Sequence, residues 1–169
     1  MGLFSFIKEA GEKLFGSKKA EEAAAAAREQ ASADAQAALE AANRQAGDAI
    51  QAYIEQQGLE ITGLTVTYDA TTSTASVFGV AKDQATKEKA LLCAGNVEGV
   101  ASVNDHMSVD QSEPEAQYHD VVRGDTLWAI AKKFYGDGNK YPVIFEANKP
   151  MLSHPDKIYP GQKLRIPPL

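Results

Sequence analysis

Two glycines four residues apart, in Gly95-Asn96-Val97-Glu98-Gly99-Val100, carry the first chemistry that the sequence suggests. The residues before them, Gln84 to Ala94, read as a helix, and those from Val100 to Val109 read as a strand. A glycine after a helical run can take positive φ at no steric cost and reads as a C-cap. The last carbonyls of such a helix lack intrahelical donors and project past its end. The macrodipole makes that end electronegative. A tight turn of free carbonyls is a seat for a cation. The same spacing also suits a plain helix-to-strand connection whose carbonyls meet water or neighbouring backbone, and on spacing alone that simpler reading is the commoner one.

Other chemistry is sparse. Cys93 is the single cysteine, so no internal disulfide forms. It lies in Ala90-Leu91-Leu92-Cys93-Ala94 and reads as a small buried hydrophobe rather than a reactive thiol. His106, His119 and His154 show no metal-ligand spacing. No nucleophile motif and no phosphate-cradling glycine loop appears, so an enzyme is the least supported class. Lys plus Arg number 17 against 23 Asp plus Glu, a net charge of −6. A mildly acidic chain without a basic cluster is a poor binder of nucleic acid, and it lacks the polybasic patch that would hold it on anionic lipid. No run of about 18 apolar residues is present, so no membrane insertion is expected. The N-terminus lacks a basic n-region, and Lys8, Glu9, Glu12 and Lys13 interrupt its short apolar stretch. It therefore does not read as a secretory signal, and a cytoplasmic location is expected.

The elements that would position the turn follow from periodicity. Residues 1–16 read as an amphipathic N-terminal helix, with Leu3, Ile7, Ala10 and Leu14 at helical spacing. Residues 17–47 are Ala-rich and low in complexity. Ala is the best helix former, so this reads as a long, largely exposed helix. Residues 48–109 carry a helical face (Ala49, Ile50, Tyr53, Ile54), then two strands, then a helix capped by Asp83, then the glycine turn and a third strand. Residues 110–117 have linker composition. In 118–169, Tyr118 to Val122 reads as a strand and Arg123-Gly124-Asp125-Thr126 as a capping turn. A helix with Leu127, Ile130, Ala131 and Phe134 on its buried face follows, then a helix over Tyr141 to Ala147, and Lys163 to Ile166 as the closing strand. Trp128 fits a core or groove role. The fold class is α+β: two leading helices, an αββαβ module and a βααβ module.

Residues 48–109 resemble the BON domain, on the strength of Val77-Phe78-Gly79-Val80 and of Gly95-Asn96-Val97-Glu98-Gly99-Val100-Ala101-Ser102-Val103. That resemblance implies binding, often at membranes, and not catalysis. Residues 118–169 resemble the LysM domain nearly end to end. The match runs through Val122-Arg123-Gly124-Asp125-Thr126-Leu127-Trp128-Ala129-Ile130-Ala131, then Asn148, then Pro155-Asp156-Lys157-Ile158-Tyr159-Pro160-Gly161-Gln162-Lys163-Leu164-Arg165-Ile166-Pro167. LysM modules generally bind N-acetylglucosamine glycans such as peptidoglycan or chitin. The resemblance places the groove at Gly124, Asp125, Thr126 and Leu127 on one side and Pro155, Asp156, Lys157 and Ile158 on the other. Each of these residues also has a ready structural task.

BON followed by LysM, behind Met-Gly-Leu-Phe-x-Phe-x-Lys-x-Ala-Gly-Glu-Lys-Leu, resembles the bacterial cytoplasmic potassium-binding Kbp family. The Ala-rich segment lies outside the resemblance. What the resemblance implies is a potassium ion held by the backbone carbonyls of Ile7, Lys8 and Ala10 together with those of Gly95, Val97 and Val100. Carbonyl dipoles can replace the hydration shell of potassium, whereas a hard divalent ion prefers carboxylates. The expectation is a monomeric potassium sensor or buffer that becomes more ordered on binding. Two other readings stand beside it: glycan binding through LysM, and membrane-surface association through the BON module.

Overall fold

The structure, a computed structural model, describes residues 2–5, 33–111 and 114–169. The elements are β1 (Gly2–Ser5), α1 (Ala33–Gln56), β2 (Ile61–Asp69), β3 (Thr74–Asp83), α2 (Gln84–Gly95), β4 (Ser102–Gln111), β5 (Gln117–Asp120), α3 (Leu127–Tyr135), α4 (Tyr141–Ala147) and β6 (Lys163–Ile166). The architecture is α+β, with a four-stranded sheet of order β1-β4-β3-β2 and a two-stranded sheet of β5 and β6.

The N-terminal reading changes at its first residues. Gly2–Ser5 is not the start of an amphipathic helix but a strand, antiparallel to β4, with Gly2 opposite Asp105 and Ser5 opposite Ser102. Pairing there satisfies the backbone along a sheet edge of β4 that would otherwise stay open. The rest of the expected helix, including Ile7, Lys8 and Ala10, lies outside the described residues.

The Ala-rich and αββαβ segments do not meet at a break. α1 runs unbroken from Ala33 to Gln56, across the expected boundary at 47/48. Its early turns are largely exposed, as an Ala background without bulky apolar residues requires. Burial begins where Ala46, Ile50 and Ile54 line up at spacings of four. Gly47 sits where a Cβ would lie 2.7 Å from the Val66 carbonyl oxygen, so the helix approaches β2 more closely than alanine allows. β2 is an edge strand. The Asn43 Oδ1 accepts from the Ala70 N–H (2.9 Å) and the Gln51 Oε1 from the Val66 N–H (3.2 Å), so two α1 side chains stand in for a neighbouring strand.

β2 and β3 form an antiparallel hairpin, and β3 crosses over through α2 to the parallel β4. Asp83 caps α2 as expected, its carboxylate accepting from the Thr86 N–H at 2.7 Å. Hydrogen bonding to the Thr86 side chain, and then to this N–H, holds the Asp83 carboxyl below its ordinary range. α2 is buried almost all round from Ala90 to Gly95, because β3 and β4, α1 and β6 surround it on different sides. Cys93 is buried as expected, and desolvation pushes its thiol up to about 12. The larger core joins Ile50 and Ile54 of α1 to Leu91 and Leu92 of α2 and to Val66, Val77 and Val103 of the sheet. Burying each such side chain stabilises the fold by about 1.5–3 kcal/mol.

The smaller unit follows the expected βααβ order, with a 3₁₀ turn at Gly138–Lys140 between its helices. Its core joins Val121, Leu127, Ile130, Ala131, Ile144, Leu152, Leu164 and Ile166. The expected linker at 110–117 is shorter than its composition suggested. β4 extends to Gln111, β5 begins at Gln117, and Ala116 is buried with its N–H donated to the Glu88 carboxylate (2.8 Å). Trp128 is 47% exposed rather than a core residue. Its indole lies against Gly138, where a Cβ would fall within 2.6 Å of three ring atoms.

Candidate functional site

The glycine turn is built as a buried, backbone-lined corner. α2 ends at Gly95, and the Asn96 N–H donates back to the carbonyl of Leu92 at 2.9 Å and to that of Ala94. Asn96, not Gly95, is the C-cap, at φ −85°. The positive φ expected at the first glycine occurs at the second, Gly99, at +94°. The Val100 N–H donates to the Val97 carbonyl (3.1 Å), closing a turn around Glu98 and Gly99. A glycine is needed there because an L side chain is strained at that φ.

Three contacts fix the corner from outside. The Tyr68 hydroxyl donates to the Gly99 carbonyl at 2.7 Å. The Ala101 and Ser102 N–H groups both donate to the Ser73 carbonyl, at 2.7 and 3.3 Å. Val97 and Val100 are wholly buried and pack into the larger core. Of the three turn carbonyls singled out in the sequence, that of Val97 already accepts one hydrogen bond. Among the described residues no backbone N–H donates to those of Gly95 and Val100. The last turn of α2 contains no basic side chain, so nothing on the helix itself offsets the negative end of its dipole. The chemistry of the corner is that of neutral oxygens in a low-dielectric setting. Among the described residues, no group of three or more His, Cys, Asp or Glu side chains could hold a metal ion.

The potassium binding protein Kbp of Escherichia coli O6:H1 is 41% identical to this chain, over 99% of each. The chain belongs to the Kbp family. A LysM domain model matches residues 119–167. Partial relatives extend the picture: the uncharacterized protein YqbP of Bacillus subtilis is 40% identical over 33% of this chain and 30% of its own, and the spore coat assembly protein ExsA of Bacillus cereus is 45% identical over 29% and 7%.

In this Kbp-family chain the LysM loops are largely occupied with holding themselves. Gly124 takes φ +94° and is exposed. The Asp125 carboxylate accepts from the Val122 N–H (3.0 Å) and lies 2.7 Å from the His119 Nε2. The Val122 bond, then His119, hold that carboxyl below its ordinary range. Thr126 is the N-cap of α3, its hydroxyl accepting from the Ala129 N–H at 3.1 Å. Leu127 is core. On the far side, Ile158 packs against the cluster that contains Leu127, so these two residues bring the two loops onto one core. Pro155 is half-buried, and Asp156 and Lys157 are exposed.

Two residues that bear on the site escaped sequence reasoning. Glu88, 2% exposed, accepts from Gln84 and Ala116 and pairs with the buried Arg165. Asn96 reaches from the glycine turn to β6, its Oδ1 accepting from the Lys163 N–H (2.9 Å) and its Nδ2 donating to the Lys163 carbonyl (3.0 Å). Both partners lie far along the chain, and no local pattern announces them.

Proposed function

We propose that this chain is a cytoplasmic potassium-ion-binding protein, a sensor or buffer rather than an enzyme. The end-to-end likeness to the Kbp of Escherichia coli carries this reading. In it the ion is held by backbone carbonyls of the N-terminal segment, at Ile7, Lys8 and Ala10, and of the BON turn, at Gly95, Val97 and Val100. The turn suits that role: it is backbone-lined, buried, shaped by the left-handed Gly99, and placed at the negative end of α2. Neutral carbonyls match a weakly hydrated monovalent ion. With ligands from both segments, the bound ion joins them, and the chain becomes more ordered.

The test is a titration of metal-stripped protein with potassium chloride and, separately, sodium chloride at matched ionic strength, read by thermal stability and by backbone amide shifts. A ligand that binds only the folded form stabilises it by about 2.7 kcal/mol at a hundredfold excess over its dissociation constant. A saturable response to potassium and not to sodium is expected. No potassium-specific response would overturn the reading.

A second reading rests on the LysM match at 119–167: glycan binding by Gly124, Asp125, Thr126, Leu127, Pro155, Asp156, Lys157 and Ile158. It predicts saturable binding of chitin oligomers that is independent of potassium. Asp125 already holds the Val122 N–H and Thr126 caps α3, which leaves Gly124, Asp156 and Lys157 as the more accessible surface.

A further inference from the structure

β6 has one side paired and one side open. Toward β5, Leu164 and Ile166 stand opposite His119 and Gln117. In an antiparallel ladder the intervening residues turn their N–H and C=O outward. Here those residues are Lys163 and Arg165, and among the described residues no further strand pairs with β6. Two asparagine carboxamides take the place of that strand. Asn148 accepts from the Arg165 N–H and donates to the Arg165 carbonyl, both at 2.8 Å. Asn96 does the same to Lys163, at 2.9 and 3.0 Å. Asn148 belongs to the LysM unit itself. Asn96 belongs to the glycine turn, between Gly95 and Val97.

The carboxamide is the side chain with the donor and acceptor of a peptide group, so each contact reproduces one rung of a sheet. The peptide groups on either side of Asn96 carry the Gly95 carbonyl and lead to the Val97 carbonyl, two of the proposed potassium ligands. Asn96 is itself buried, and its backbone N–H is committed to the end of α2. The side chain therefore has little freedom to move independently of the turn.

We infer that Asn96 is a positioning residue that couples the potassium turn to the LysM unit: ion binding at Gly95 and Val97 sets the carboxamide that holds Lys163 of β6. This rests on the potassium reading above. The coupling runs both ways, since linkage between two equilibria is reciprocal. Holding β6 favours the turn geometry that binds the ion, and the ion favours the held β6.

The experiment uses the full chain with potassium chloride as the probe. It compares the wild type with Asn96→Ala and with Asn96→Asp, which keeps an acceptor for the Lys163 N–H but loses the donor to its carbonyl. Amide shifts follow Val97 to Val103 and Lys163 separately, and hydrogen exchange follows the Lys163 amide. In the wild type, potassium should shift both regions with one midpoint and slow exchange at Lys163. Asn96→Ala should weaken potassium binding roughly fivefold or more, the lower end of typical coupling. It should abolish the Lys163 response while leaving a response at Val97 to Val103, and Asn96→Asp should fall between. Wild-type protein that answers at the turn but not at Lys163 would overturn the coupling and leave the potassium reading intact. Unchanged potassium affinity in a folded Asn96→Ala would do the same. Wild-type protein with no saturable response at either place would remove the potassium reading itself. If the substitutions prevent folding, the wild-type comparison alone can still overturn the coupling.

Discussion

At the scale of single residues, the corner depends on Gly99 and on the hydroxyl that holds it. Gly99→Ala places a Cβ on a backbone at φ +94°, and strain of that kind costs about 1–3 kcal/mol. Denaturant unfolding should show that loss, and the potassium response should weaken with it. Tyr68→Phe removes the hydroxyl that donates to the Gly99 carbonyl. It should cost about 1 kcal/mol, the net worth of a typical hydrogen bond, with the fold unchanged by circular dichroism. The acid limb of stability has named contributors too. Asp83 and Asp125 have folded pKa values depressed below the ordinary 3.8. Their contribution is present above that value and is lost as pH falls through the lower folded values. Asp125→Asn should therefore flatten the stability loss in acid, measured by urea midpoints from neutral pH downward; an unchanged acid limb would discount Asp125. Caps such as Asp83 and Thr126 were legible in the sequence because donor and acceptor lie three residues apart. Asn96 was not, because its partner is 67 residues away. The same distinction explains Gly95 and Gly99: the pattern announces a turn, but which glycine takes positive φ depends on Tyr68 and Ser73 across the sheet.

At the scale of elements, α2 is the piece that others are fitted to. Its apolar run from Ala90 to Ala94 looked like one buried face. It is buried on nearly every side because β6 covers what a lone αββαβ module would leave to solvent. Glu88 and Gln84 are its buried polar residues, and Arg165 answers Glu88. Glu88→Ala would leave that guanidinium buried and unpaired, a change worth about 3–5 kcal/mol. Urea unfolding of the variant checks it, and a loss under 1 kcal/mol would mean that the pair is solvated. Helix, strand and hairpin order was legible throughout 48–169, because periods of 3.6 and 2 survive in the sequence. The continuity of α1 was not, since a helix boundary cannot be read where Ala simply continues. Nor was β1, whose four residues become a strand only because β4 offers them an edge.

At the scale of the whole molecule, a small polar seam joins the two units beside an apolar contact, in which Tyr118 and Met151 pack against the larger core. Glu88 with Arg165 and Asn96 with Lys163 connect α2 to β6, and the Ala116 N–H closes onto Glu88. The polar seam sets the register of the two units, and the apolar contact adds burial to it. Cys93 offers a clean probe of its integrity. Its thiol, at about 12 and wholly buried, should resist a thiol reagent at neutral pH in the folded chain. Labelling should proceed only through opening of the larger core, and should slow as potassium is added. Rapid labelling of the native protein would contradict the burial.

The first strand has a consequence for how the molecule is made. Gly2 pairs with Asp105, about 100 residues later in the chain. On a ribosome, Gly2–Ser5 emerges well before the strand it pairs with, while β2, β3 and α2 assemble from near neighbours. Pairings of such high contact order form late because loop closure must precede them. Once β4 has been made, its outer edge can be met by another nascent chain as readily as by β1.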